Sequence, residues 1–182
     1  EDTYNLSRLG IPLLEITTGP DLHTSKDVVE VASHIGMLLR STEAVKRGLG
    51  TIRQDVNVSV PGGSRVEIKG AQDLGTLNLL VENEAARQRA LINLRAAIPK
   101  QSYGFIDASD AFQNTHKSFV AAAIKSGGKA IALKLAGWKE ALAAELVPGV
   151  RLGKELAGYA KAAGFGGLIH SAEDFGKYNF TD

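Results

Sequence analysis

The 182-residue chain has no cysteine, a single methionine (Met37) and a single tryptophan (Trp138), and its charges almost cancel, with 21 Lys+Arg against 20 Asp+Glu. Without cysteine, disulfide scaffolds, thiolate zinc sites and cysteine nucleophiles are excluded. A net charge of +1 indicates neither a uniformly basic nucleic-acid coat nor an acidic disordered tail. No run approaches the roughly 18 apolar residues of a membrane-spanning helix. The opening EDTYNLSR lacks the apolar stretch of a secretion signal, so a cytoplasmic protein is expected. Aromatic residues are scarce, and Trp138 and the tyrosines do not interleave with a basic patch, which argues against a general single-strand nucleic-acid binder. What the chain does contain is 44% hydrophobic residues, enough for a core, and 20 glycines, which forecast tight turns and close backbone approaches. It begins at Glu1 and ends without a polar tail, and so reads as an internal piece of a longer protein.

Periodicity organises the first half. Residues 11–18 (IPLLEITT) are apolar and β-branched and stop at Gly19-Pro20, the punctuation of a strand, with Glu15 in the middle. Val28, Val31, Ala32, Ile35, Leu38 and Leu39 form a 3.6-residue stripe that predicts a helix over 25–41, capped by Thr24 or Ser25. Residues 51–60 (TIRQDVNVSV) alternate, with Val56, Val58 and Val60 on one face and Arg53, Asp55, Asn57 and Ser59 on the other. After Pro61-Gly62-Gly63-Ser64, the run RVEIK opposes Val66 and Ile68 to Arg65, Glu67 and Lys69. Partners across an antiparallel pair share a face, so two registers keep the polar sets together. One pairs Asn57 with Glu67 and Asp55 with Lys69; the other pairs Ser59 with Glu67 and Asn57 with Lys69. Either implies a three- or five-residue loop. Residues 73–97 predict a long helix with an exposed face, ending before Pro99.

A boundary is expected after residue 105, because eight of the nine arginines precede it and the following stretch is rich in alanine, lysine and glycine. In 106–182 the pattern predicts a helix over 116–125 stopped at Gly127-Gly128, a strand over 129–135, a helix over 153–163 closed by Gly164, and a short strand over 167–170. The order suggests a small α+β module with its sheet covered on one face.

The polar hairpin face is the most informative chemical feature. It is either a solvated surface or a site, since it mixes carboxylates and an amide suited to a hard cation with cations suited to phosphoryl charge. Glu15 is either an outward residue of an alternating strand or a paired or ligating carboxylate, because a lone charge in an apolar strand is costly. The string Lys46-Arg47-Gly48-Leu49-Gly50 lacks phosphate-loop spacing and reads as a basic turn. His23, His34, His116 and His170 show no metal spacing and no triad; His170 alone ends a predicted strand.

Residues 7–16 (SRLGIPLLEI), Gly19-Pro20-Asp21, residues 50–59 (GTIRQDVNVS) and residues 65–70 (RVEIKG) closely resemble the family of the archaeal glutamyl-tRNA(Gln) amidotransferase E-type subunit and its bacterial relative, the B-type subunit. In the second half, Phe112 to Lys117 (FQNTHK), Gly127-Gly128, Ala132 to Leu135, Pro148 to Gly153, Glu155-Leu156 and Gly166 to His170 resemble an inserted domain that the E-type subunit shares with bacterial aspartyl-tRNA synthetases and the B-type lacks. Residues 138–145 (WKEALAAE) depart from a glycine-containing segment usual there.

The resemblance implies an α+β fold: a partial glutamine-synthetase-like catalytic domain over 1–105, then an inserted aspartyl-tRNA-synthetase-like domain over 106–182. It implies a carbon–nitrogen ligase, the glutamine-hydrolysing glutaminyl-tRNA synthase. That enzyme uses ATP and Mg2+ to phosphorylate tRNA-bound glutamate in Glu-tRNA(Gln) and aminates it with ammonia from an asparaginase-like D-type subunit. Carried onto this sequence, Glu15 and Asp55 are the expected metal ligands and catalytic carboxylates. Glu67 is expected at the metal or in ammonia-side proton work, Lys69 and Arg53 on phosphate or acyl phosphate, and Asn57 in orientation. The family also uses a histidine and acidic residues placed before these blocks, so this piece alone is expected to be inactive. For the inserted domain, Lys125, Lys129, Lys134 and Arg151 are candidate tRNA phosphate contacts, with a structural spacer as the other reading. The competing functions are a non-catalytic tRNA-binding protein and a bacterial B-type subunit.

Overall fold

In the structure, a computed structural model that describes residues 2–7, 9–48, 50–100 and 103–178, helix α1 (Ser25–Ser41) begins at a reciprocal cap. The Thr24 hydroxyl accepts from Asp27 N (3.1 Å) and the Asp27 carboxylate accepts from Thr24 N (2.8 Å). Two of the otherwise unpaired N–H groups at that end are thereby satisfied, an arrangement whose cap alone contributes about 1 kcal/mol. Val28, Val31, Ala32, Ile35 and Leu39 are half-buried as the stripe requires, whereas Leu38 faces solvent.

Helix α2 (Leu74–Ala97) starts at Asp73, whose carboxylate accepts from Gly75 N (2.8 Å). It presents the exposed face that was expected, lined by Gly75, Asn78, Glu82, Ala86, Arg89 and Asn93, and is gripped on its other sides. It packs against α1, where Ser25 Oγ donates to Glu82 (2.7 Å), and against the first hairpin, and it buries Leu77 completely. Farther along, its Ala90, Leu91 and Leu94, with Ile98 just beyond, pack on a cluster of Ala141, Leu146 and Leu152 joined by Leu156. Arg87 adds an ion pair to Glu155 (3.1 Å) alongside Glu84 (3.5 Å). One helix therefore binds the first half of the chain to the second, because it carries apolar residues around much of its circumference.

The strands are short and come as three separate antiparallel pairs. β1 (Val56–Val58) pairs with β2 (Val66–Ile68), β3 (Phe105–Asp107) with β4 (Ile131–Leu133), and β5 (Glu145–Val147) with β6 (Val150–Arg151). Among the described residues no larger sheet assembles, so the sheet expected for the second half is replaced by two separate antiparallel pairs. α3 (Ser118–Lys125) runs into Gly127 at φ +78°, and β3, the partner of β4, begins at residue 105 itself. The short α4 (Lys139–Ala143) and α5 (Leu152–Ala162) flank the β5–β6 pair, and Gly164 at φ +91° ends α5 in the left-handed conformation that glycine accepts without cost.

Two expected strands are absent. Residues 11–18 form no ladder and leave Leu13, Leu14 and Ile16 exposed, since a strand exists only where a neighbour supplies the other half of its hydrogen bonds, and no described residue does. Residues 167–170 also form none; there His170 packs onto Gly153 in the first turn of α5, where a Cβ would overlap the imidazole. No described helix is long and apolar enough to cross a membrane.

That packing yields a paired test. Gly153→Ala should destabilise the protein by about 1–3 kcal/mol through overpacking, while Gly158→Ala, in the same helix with open space around it, should stabilise it by about 0.5–1 kcal/mol. Denaturant unfolding measures both; equal shifts of one sign would contradict the seating of His170 on α5.

Candidate functional site: the polar face of the first hairpin

The ladder pairs Val56 with Ile68, Asn57 with Glu67 and Val58 with Val66. This is the first of the two registers the polar pattern allows. Burial alternates with it: Val58 is buried and Ile52, Gln54, Val56 and Val60 are half-buried, while Arg53, Asp55, Asn57, Ser59, Glu67 and Lys69 face solvent. The loop differs from expectation. The ladder stops at Val58 and Val66, leaving 59–65 as the connection, because the Val60 carbonyl turns to accept from Gly63 N (2.9 Å).

Lys69 ties two carboxylates together. Its Nζ lies 3.0 Å from Glu67 and 3.5 Å from Asp55, with the lysine side chain itself 72% exposed. Beyond the ladder, side chains take over its work. Asp55 Oδ1 accepts from Gly70 N (2.9 Å), and Gln54 Nε2 donates to Ala71 O (2.5 Å). The Gln72 amide, with its nitrogen toward Ile52, donates to Ile52 O (3.0 Å) and accepts from Gln54 N (3.1 Å). The Gly70 N–H, then the Lys69 ammonium and Arg53, hold the Asp55 carboxyl below its ordinary range. The Glu67 carboxylate, then Asp55, hold Lys69 above its own. Asp55 thus favours folding above about pH 4 and loses that effect as pH falls through its lowered pKa; Lys69 does so below about pH 10 and loses it as pH rises through its raised one. Across the neutral range this pair stays ionised.

The other candidates are placed less decisively. Glu15 is exposed in the unpaired segment 11–18 and forms no hydrogen bond or ion pair with a described residue. The structure therefore joins Asp55 to Glu67 through Lys69 and does not join Glu15 to either. Arg53 and Asn57 are exposed beside them, with Asn57 directly across from Glu67. Gly48 and Gly50 sit at φ +119° and +73°, as a turn requires, and Leu49 lies outside the described residues. Of the second-half cations, Lys129 is bound to Asp107 (2.8 Å), which lowers that carboxyl, while Lys125, Lys134 and Arg151 are exposed.

No three acidic or histidine side chains gather into a metal cluster among the described residues. Mg2+, however, is usually held by one or two carboxylates plus phosphate oxygens and water. Asp55 and Glu67, with Asn57 across the ladder from Glu67, supply hard oxygen donors that fit this mode.

The family model described as the GatB/GatE catalytic domain matches residues 1–145. The chain belongs to that family. It is 44% identical over 183 residues to the E-type subunit of the glutamyl-tRNA(Gln) amidotransferase of Sulfurisphaera tokodaii, a match covering 95% of this chain and 29% of that protein. The same protein from Pyrococcus abyssi is 46% identical over 168 residues (88% and 26%), and that from Methanocaldococcus jannaschii is 43% identical over 185 residues (98% and 29%). The chain spans less than a third of the length of these relatives.

Sequence reasoning missed the groups that seal the base of the polar hairpin in this GatB/GatE family member: Gly70, Gln54 and Gln72. The available signal was Gln54, a polar side chain on the half-buried side of the first alternating run, between Ile52 and Val56.

Removing the ammonium should separate the two influences on Asp55. In Lys69→Met, carbon-detected NMR titration is expected to show the Asp55 pKa rising yet staying below about 3.9, because the Gly70 N–H remains. An Asp55 that titrates at its ordinary value in the unsubstituted protein would contradict the hydrogen bond.

Proposed function

We propose that this chain is part of the E-type subunit of an ATP-dependent amidotransferase that converts Glu-tRNA(Gln) to Gln-tRNA(Gln), with the polar face of the first hairpin turned to the nucleotide. The observation that carries this reading is the Asp55–Lys69–Glu67 arrangement, displayed outward with Arg53 and Asn57 in a member of the GatB/GatE family. Residues 1–105 are then part of a glutamine-synthetase-like catalytic domain. Residues 106–182 are an inserted domain like that of bacterial aspartyl-tRNA synthetase, facing tRNA with Lys125, Lys134 and Arg151.

The reaction such a face serves begins with the γ-carboxylate of the tRNA-bound glutamate. One of its oxygens bonds to the γ-phosphorus of ATP as the bond to ADP breaks, giving an acyl phosphate. Ammonia, supplied by an asparaginase-like D-type partner that hydrolyses glutamine, adds to the acyl carbon, and phosphate leaves with the pair of electrons of the broken C–O bond. Bound Mg2+ would neutralise phosphoryl charge from Asp55 and Glu67, with Glu15 as a further ligand brought from its unpaired segment. This chain's own cations, Lys69 and Arg53, point fixed positive charge at oxygens on which negative charge builds, the kind of contribution that dominates phosphoryl transfer. Asn57 orients, and Glu67 either shares the metal or, in its place, takes a proton from the attacking ammonia.

A scaffold role for Asp55 is the specific alternative, since its carboxylate already accepts from Gly70 N. In the assembled enzyme, Glu67→Gln and Asp55→Asn should each reduce Gln-tRNA(Gln) formation by about 10²–10³-fold, with Glu-tRNA(Gln) affinity retained. Full activity in both variants would reduce the face to a solvated surface, and tRNA binding without any product in the unsubstituted enzyme would favour a non-catalytic tRNA-binding protein.

A further inference from the structure

On α2, one side chain breaks the rule that buried positions are apolar: Gln88 is only 4% exposed. A buried amide is tolerated only when its hydrogen bonds are made, and this one makes three. Gln88 Oε1 accepts from Val60 N (3.0 Å), and Nε2 donates to Val58 O (3.0 Å) and to Glu84 Oε1 (2.8 Å). The two backbone partners flank Ser59 on the edge of β1 that β2 does not cover. A residue of an adjacent strand would take the same two groups, so one side chain replaces a missing strand. The fit is close enough that a Cβ at Gly63 would lie 2.7 Å from Gln88 Oε1. Glu84 is in turn held by Arg87, which also reaches Glu155, so the clamp is fixed from behind by the contact between α2 and α5.

We infer that Gln88 is a positioning residue for the amidotransferase reaction, acting through the β1 backbone to hold Asp55 and Asn57 in register with Glu67 and Lys69. The inference rests on the proposed function of that face. Gln88 touches no reacting atom; it fixes the strand from which the outward groups project, and a displacement near 1 Å at such groups can cost up to about 10²-fold in rate.

The test uses the assembled enzyme containing this chain, with Glu-tRNA(Gln), ATP and Mg2+, and two variants. Gln88→Leu removes all three bonds and should lower kcat at least tenfold while KM for Glu-tRNA(Gln) stays within twofold. Gln88→Glu keeps the acceptor for Val60 N but loses the donor to Val58 O whenever its carboxyl is ionised. Burial and the Glu84 carboxylate disfavour ionisation of that new carboxyl, and Arg87, which pairs with Glu84, favours it. Protonation restores an O–H donor, so the activity of this variant relative to the unsubstituted enzyme should recover as pH falls, and that recovery does not depend on the leucine variant folding. Unchanged kcat in both variants, or a loss shared by kcat and KM with no recovery at low pH, would overturn the inference. An unsubstituted enzyme that makes no Gln-tRNA(Gln) would overturn the reading beneath it, and the two failures are distinct because the first leaves that enzyme active.

Discussion

A hairpin must send alternate side chains to opposite faces, and in β1–β2 the buried half of that alternation is what fixes the exposed half. Val58 is buried, and Val56, Val60, Val66 and Ile68 are partly covered. A slip of one residue would carry all of them into water and the polar set inward. Burying side chains of this size stabilises by about 1.5–3 kcal/mol each at most, so the register cannot drift. Asp55, Asn57, Glu67 and Lys69 therefore occupy one surface because the valines behind them must occupy another.

The ionic contacts on that surface do not hold the fold. Lys69 is largely exposed, and solvent screens ion pairs of that kind so that they add little to stability. Their value lies in charge placement: two carboxylates and an ammonium displayed together, with the backbone N–H of Gly70 fixing one carboxylate. Structural strength comes from elsewhere, from α2 and the apolar cluster of Ala141, Leu146 and Leu152 on which its far end packs. Because α2 also bears Gln88, packing in the second half is mechanically continuous with the polar face in the first. A boundary drawn at 105 marks a change of composition, and across it α2 makes apolar contacts and an Arg87–Glu155 ion pair.

How much was legible in the sequence depended on whether local pattern alone set the outcome. The helices over 25–41 and 74–97 followed from periodicity, since each has a face that must be buried and a cap that marks its end, while the hairpin pattern narrowed the register to two choices, of which the structure takes one. The segment 11–18 and residues 167–170 carry strand-like composition, but a ladder needs a partner, and composition does not say whether one is present. The exposed face of α2 was readable from its polar positions, but composition did not say that its other sides would be shared among α1, the hairpin and β5. In the site, the outward polar set was readable from alternation; the groups that close its base and clamp its edge, Gly70, Gln54, Gln72 and Gln88, act through backbone bonds that no spacing rule announces. Membership of the GatB/GatE family accords with the motif blocks that contain Glu15, Asp55 and Glu67.

The central claim is that this hairpin face meets the nucleotide. Its most direct test is a crystal structure of the full-length protein with Mg2+ and a non-hydrolysable ATP analogue. The account predicts the metal within about 2.0–2.1 Å of a carboxylate oxygen of Asp55 or Glu67, with the terminal phosphate beside Lys69 or Arg53. A nucleotide bound elsewhere, with Lys69 still bridging Asp55 and Glu67 and no ligand against them, would contradict it.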